Sequence, residues 1–157
     1  MYKNIILHWT AGNYKPCSED LKHYHYLVDS DGNIINGQYE PKDNLNCTDG
    51  RYAAHCGGGN TGRIGLAICC RKDEKTQPTR KQVESMCSYA AKLCNIYGLN
   101  PKDCITHAEF GKSHPTTSSY GKIDINSIPY ANIFGIESAG KYLRNKILWY
   151  YNKIKGI

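Results

Sequence analysis

Short apolar runs, separated by polar segments that contain glycine, alternate along the chain with longer amphipathic segments. The runs at 4–8 and 63–70 are rich in isoleucine and leucine, which is typical of buried strands. Segment 24–28 predicts a further strand, and the polar turn after it predicts a hairpin with 33–36. A short strand is also expected at 104–107, with a histidine as its last residue.

Two longer segments repeat apolar residues with the period of an amphipathic helix. The first is predicted to begin after Thr79, which can form a capping box with Gln82, and to end at Gly98. The second is expected at 138–154. A shorter helix is expected earlier in the chain, with Ser18 as its N-cap.

Length and hydropathy set bounds on the fold. A chain of 157 residues is long enough to build one hydrophobic core. We therefore predict an α/β fold, a single domain over 1–157 with a central mixed β-sheet covered by helices. Since no apolar run approaches the roughly 20 residues that cross a bilayer and the first residues lack an export signal, synthesis in the cytoplasm without a signal peptide is expected.

Cysteine positions indicate the redox state of the thiols, and the net charge indicates the class of partner. Of the eight cysteines, Cys87 and Cys94 lie on the apolar stripe of the first long helix, and Cys69 and Cys70 end an apolar strand. These positions favour reduced core thiols over a disulfide framework. The net charge of +6 favours anionic partners, but the basic residues are scattered without a nucleic-acid reader motif, so no nucleic-acid partner is expected.

Three residues are candidate metal ligands: His8 and His107 at strand ends, and Asp124 in the loop that follows. Zinc hydrolases use three protein ligands, commonly imidazole and carboxylate, and keep a fourth position open. Because the three residues are far apart in sequence, their spacing alone does not establish a site. Each histidine could be structural, and His114 is an alternative third ligand.

Five ordered motifs carry a resemblance to a known family. They are IILHWTAG at 5–12, YHYLVDSDG at 24–32, HCG at 55–57 with Asn60 and IGL at 64–66, THAE at 106–109, and KID at 122–124. Together they resemble the type 2 N-acetylmuramoyl-L-alanine amidases, which include phage lysozyme-amidases and are related to peptidoglycan recognition proteins. The resemblance spans residues 5–124.

The resemblance implies a zinc-dependent hydrolase that cleaves peptidoglycan between N-acetylmuramic acid and L-alanine. Position by position, it implies that Zn²⁺ is held by His8, His107 and Asp124, where the family varies between cysteine and aspartate at the third ligand. It implies Tyr24 and Lys122 as catalytic residues. Substrate contacts are implied for His55, Asn60 and Arg63.

Each catalytic role has a physical reason and an alternative. Lys122 would stabilise the oxyanion of amide hydrolysis, and Tyr24 would orient water or hydrogen-bond the developing alkoxide. Glu109 is an alternative proton shuttle, or a partner that fixes a histidine tautomer. Tyr24 could instead be a core aromatic residue, and His25 beside it is expected to be structural.

The implied partner is peptidoglycan, and the expected lack of an export signal favours a phage or prophage endolysin that acts on the wall, in the periplasm or outside the membrane. A monomer is expected. A cytoplasmic amidase that recycles muropeptides and a non-catalytic peptidoglycan-binding module are the alternatives. The basic face of the helix at 138–154 could make weak contact with anionic membrane or cell wall.

Overall fold

A five-stranded mixed sheet lies at the centre of the computed structural model, which describes residues 1–71, 73 and 75–157. Its strands are β1 (Asn4–Trp9), β2 (Tyr26–Val28), β3 (Ile34–Asn36), β4 (Arg63–Ile68) and β5 (Ile105–Thr106), in the order β3-β2-β4-β1-β5. Strand β1 is parallel to β4 and β5, β2 is parallel to β4, and β3 is antiparallel to β2. This arrangement confirms the predicted mixed α/β sheet.

Helices and a small second sheet complete the fold. They are α1 (Ser18–His23), α2 (Arg80–Tyr97), α3 (His107–Ser113), α4 (Ile136–Lys155) and the two-stranded ribbon of β6 (Ser127–Ile128) and β7 (Ile133–Phe134). The cap signals of α2 act as predicted. The Thr79 side chain accepts a hydrogen bond from the Gln82 N–H, and Gly98 ends the helix in the left-handed conformation at φ 67°.

The two faces of the sheet are covered differently. Ile5 and Leu7 of β1 belong to the main apolar core, to which α2 and α4 also contribute. Ile6 points to the opposite face and packs with Cys56 and Phe110. Because side chains alternate along a strand, the next even position of β1 also points away from the main core.

Several element boundaries differ from the predictions. Strand β4 ends at Ile68 and not at residue 70, and β5 covers only Ile105–Thr106, so His107 begins α3 instead of ending a strand. Tyr24 does not begin a strand: it is the residue that ends α1, because its N–H donates to the Asp20 carbonyl. Helix α1 is capped by Cys17, one residue before the predicted Ser18. The segment from Glu109 begins as helix α3, not as a loop, since a capping box starts this helix. Helix α4 begins at 136 and ends at 155, beyond both predicted limits.

Six of the eight cysteines are buried, in keeping with the predicted core positions. Among the residues that the structure describes, no helix combines the length and the apolar character needed to cross a membrane.

Candidate metal centre

The first candidate ligand, His8, is the next-to-last residue of β1 and points to the face opposite the main core. It is completely buried. His107 opens α3 directly after β5, and β5 pairs with β1 through Leu7 and Thr106. The two parallel strands therefore end side by side and bring both histidines to one edge of the sheet.

Asp124 reaches the same place from the loop that follows α3. Its backbone carbonyl accepts a hydrogen bond from the Ala108 N–H at 2.6 Å, which ties the loop to the first turn of α3. Its carboxylate lies between the two imidazoles, with Oδ2 at 3.1 Å from His8 Nδ1 and Oδ1 at 3.3 Å from His107 Nδ1. One possible ligand atom from each residue lies within 4.8 Å of the other two.

This donor set fits zinc. Two imidazole nitrogens and a carboxylate are a common catalytic zinc set, and the three groups converge at a buried place. Within the described part of the chain, no other cluster of three histidine, cysteine or acidic side chains could hold a metal ion.

Burial and mutual contact shift the pKa of all three groups. Burial lowers the pKa of His8 to about 4, in spite of the carboxylate beside it. Burial also acts against a charge on His107, but the hydrogen bond to Asp124 raises the pKa of His107 to about 9. Burial opposes the ionisation of Asp124 as well, yet the two imidazoles lower its pKa to about 2. The carboxylate is therefore charged at neutral pH and attracts a cation, either a proton on His107 or a metal ion.

The cluster opens into a groove of about 640 Å³. Tyr24 and Lys122 line this groove, and the Tyr24 ring centroid lies 5.1 Å from that of His8. Burial, with the nearby Asp124 carboxylate, raises the pKa of Tyr24, so its phenol keeps its hydrogen at neutral pH. The exposed Lys122 ammonium is close enough to contribute to the lowered pKa of His8. The groove therefore combines a candidate cation site with a hydrogen-bond donor and a positive charge.

Of the three predicted substrate contacts, only His55 is part of the groove lining. Asn60 instead accepts hydrogen bonds from the His55 and Cys56 N–H groups at 2.9 and 2.8 Å, and so fixes the loop. The Arg63 guanidinium contacts the Gly59 carbonyl and lies over the Phe110 ring. Both side chains are thus engaged in contacts within or beside this loop. A substrate contact by Asn60 or Arg63 stays a prediction.

Two alternatives raised by the sequence are wrong. The Glu109 carboxylate accepts the Thr106 N–H at 3.0 Å and pairs with Arg144 at 2.7 and 2.9 Å, so its oxygens bond these groups and not a histidine. His114 stacks on Phe110 with ring centroids 3.9 Å apart and bonds the Phe110 carbonyl, so it is not a third ligand. Both side chains are committed to contacts around α3.

His25 has the structural role that was expected. Its Nε2 bonds the Asn44 side chain at 2.8 Å, and its Nδ1 accepts the Gly65 N–H at 2.9 Å. Ser119 is a site residue that sequence reasoning missed: it is completely buried and bonds His107 Nε2 at 2.9 Å. Since Ser119 lies in an irregular loop, no periodic pattern marks it.

Comparison with known proteins identifies a matching family. A family model described as N-acetylmuramoyl-L-alanine amidase matches residues 2–122. The match contains His8, His107 and Lys122 but ends before Asp124, so only the geometry of the site supports Asp124 as a candidate third ligand. No functionally curated protein matches the chain by sequence.

Several solved structures share the fold. The Staphylococcus aureus hydrolase AmiA in complex with its ligand matches with a TM-score of 0.68 at 19% identity, over 99% of this chain and 75% of AmiA. The structure of PlyL matches with a TM-score of 0.55 at 17% identity, over 93% of this chain and 83% of PlyL. N-acetylmuramoyl-L-alanine amidase LysC from Clostridium intestinale URNW matches with a TM-score of 0.51 at 19% identity, over 69% of this chain and 71% of LysC.

Proposed function

We propose that this chain, which belongs to the N-acetylmuramoyl-L-alanine amidase family, is a zinc-dependent enzyme that hydrolyses the amide bond between N-acetylmuramic acid and L-alanine in peptidoglycan. The observation that carries the proposal is the convergence of His8, His107 and Asp124 beneath a groove lined by Tyr24 and Lys122. Family membership indicates which amide bond is cleaved, and the convergence of the three side chains supports metal-dependent hydrolysis of that bond.

The reaction needs activated water and stabilisation of negative charge on the amide oxygen. His8, His107 and Asp124 would hold a zinc ion, which would supply a Lewis acid that meets both needs. The Lys122 ammonium, at the groove wall, stabilises the tetrahedral oxyanion by its charge. The Tyr24 phenol, kept protonated by burial, donates a hydrogen bond to that oxygen or orients the water.

The product ends test the reaction directly. The chain is incubated with purified sacculi, and the released material is analysed by mass spectrometry. New free L-alanine amino termini are expected, because the amide nitrogen belongs to L-alanine. New reducing sugar ends would instead make the enzyme a glycosidase and sink the proposal.

A non-catalytic peptidoglycan-binding module is the alternative from another class. The complete set of two imidazoles and a carboxylate favours the enzyme, since a module that only binds needs no metal ligands. Sacculi that retain the zinc-loaded chain without releasing any peptide would favour the binding module.

The setting of the activity is a further part of the proposal. We propose a phage or prophage endolysin that acts on the assembled wall as a monomer, on the basis of the family resemblance. A recycling amidase would prefer soluble muropeptides. Parallel assays on intact sacculi and on soluble anhydro-muropeptides distinguish the two, because an endolysin should cleave the sacculi.

A weak contact with anionic surfaces is proposed for α4. Lys141, Trp149 and Lys153 lie on its exposed side, and the Lys153 ammonium lies 4.2 Å from the centre of the Trp149 ring. An exposed tryptophan beside lysines suits the boundary between lipid headgroups and water.

A further inference from the structure

Two side chains outside the donor set contact the far nitrogens of the candidate ligands. His8 Nε2 lies 3.0 Å from His55 Nδ1, and His107 Nε2 lies 2.9 Å from Ser119 Oγ. His55 is 5% exposed and Ser119 is completely buried. Solvent therefore cannot easily replace either contact.

The direction of each hydrogen bond follows from the group at the other end. His55 Nε2 lies 3.1 Å from the Arg63 backbone carbonyl, and Ser119 Oγ lies 2.7 Å from the Gly57 backbone carbonyl. A carbonyl oxygen only accepts, so His55 must carry its hydrogen on Nε2, and the Ser119 hydroxyl must donate to Gly57. Within the described residues, the hydrogen-bond partners of His55 include no carboxylate, so a second proton on this buried ring would lack a counter-charge.

Because His55 donates its ring hydrogen to the Arg63 carbonyl and Ser119 donates its hydroxyl hydrogen to the Gly57 carbonyl, His55 Nδ1 and Ser119 Oγ can only accept from the candidate ligands. His8 and His107 must each donate from Nε2. When both rings are neutral, their Nδ1 lone pairs then point at the Asp124 carboxylate, at 3.1 and 3.3 Å. Lone pairs that face a carboxylate repel it unless a cation lies between them. The hydrogen bonds from His8 to His55 and from His107 to Ser119 therefore orient both Nδ1 atoms toward a cation.

We propose that His55 and Ser119 are positioning residues that fix the Nε2–H tautomers of His8 and His107 and so direct both Nδ1 atoms to the metal. The inference rests on the proposed zinc-dependent function. It gives His55 a role distinct from the substrate contact that the family resemblance implies. Such partners of metal-bound histidines typically change metal affinity about 10–100-fold when they are removed.

Two glycines leave the space that His55 and Ser119 occupy. A Cβ on Gly65 would lie 2.5 Å from the His55 ring, and a Cβ on Gly111 would lie 2.0 Å from the Ser119 backbone carbonyl oxygen. Neither glycine can be replaced by a larger residue without displacing His55 or Ser119, respectively. The hydrogen bonds from the His55 and Cys56 N–H groups to the Asn60 side chain further limit movement of the loop.

Zinc affinity, measured by competition with a chromogenic chelator, tests the positioning role. His55→Phe keeps a ring but removes the acceptor, and Ser119→Ala removes the hydroxyl. Each should weaken zinc binding about 10–100-fold. His55→Asn offers an amide oxygen to His8 Nε2–H and should bind zinc more tightly than His55→Phe. Ser118→Ala, at the exposed neighbouring serine, should match the wild type.

Nitrogen-15 NMR of the histidine rings reads the tautomers with and without zinc. We expect hydrogen on Nε2 of His8 and His107 in both samples of the wild type, and a mixture of tautomers at His8 in His55→Phe. Zinc affinities of both Ser119→Ala and His55→Phe equal to the wild type, or an unprotonated Nε2 on His8, would overturn the inference. A wild-type chain that binds no zinc would contradict the proposed function. In that sample, hydrogen on Nε2 of His8 and His107 would still support the positioning role of His55 and Ser119, and its absence would contradict that role.

Discussion

The two faces of the sheet bury their residues for different physical reasons. On one face, Leu7 and Leu66 are buried in the apolar core to which α2 and α4 contribute, where removal of apolar surface from water is itself favourable. On the other face, His8 and Asp124 are also buried but polar, and such groups are stable only with partners. Neighbouring residues of β1 thus have separate tasks: Leu7 stabilises the fold, and His8 builds the site.

This difference predicts that the two faces fail in different ways. A cavity in the apolar core weakens the whole fold but leaves the ligands directed at one another. A change among the polar residues leaves the core intact and removes function. The following variants separate these two outcomes.

Loss of the third ligand should have the largest effect. Asp124→Ala removes the carboxylate that faces both imidazoles. We expect zinc affinity and amidase activity to fall by more than the about 10–100-fold that loss of a supporting partner causes. Metal analysis and peptide release from sacculi measure the two quantities. Asp49→Ala, at an exposed turn, is the control. A variant that keeps one zinc per chain would exclude Asp124 from the ligand set.

A cavity in the apolar face should lower stability without affecting the metal. Leu7 is completely buried, so Leu7→Ala should lower the free energy of unfolding by about 2–5 kcal/mol. Urea unfolding of the metal-free chain gives this quantity, and zinc titration of the folded variant should give the wild-type affinity. Equal losses of stability and zinc affinity would show that the two faces are not independent.

Removal of the charge at the groove wall should slow the reaction while zinc stays bound. Lys122→Ala should lower the rate about 10²–10³-fold, because Lys122 is proposed to stabilise charge and not to ligate metal. Steady-state rates and zinc content are measured together, with Lys112→Ala at an exposed position of α3 as the control. Wild-type rates in Lys122→Ala would remove this residue from the mechanism.

The smallest effect is expected on the exposed side of α4. Each lysine near an anionic surface contributes about 1 kcal/mol, so Lys153→Gln should weaken binding to anionic vesicles roughly fivefold. Vesicle sedimentation measures the binding, and Lys22→Gln on the exposed part of α1 is the control. Equal binding to neutral and anionic vesicles would contradict the proposed contact.

Much of the fold could be predicted because its signals are local. The capping box at Thr79, the glycine at Gly98 and the apolar runs of β1 and β4 act within a few residues of themselves. The predictions were weaker where an element is short. Strand β5 has only two residues, and Tyr24 ends a helix where a strand had been predicted.

The sequence by itself determined the buried strands, the long helices and the motifs that contain His8 and His107, because these depend on neighbouring residues. Only the tertiary structure decided which polar groups meet. It joins Asp124 to both histidines, commits Glu109 to Arg144, and adds Ser119 to the site. These pairings follow from strand order and loop packing, which bring distant residues together, and a buried polar group is stable only with such a partner.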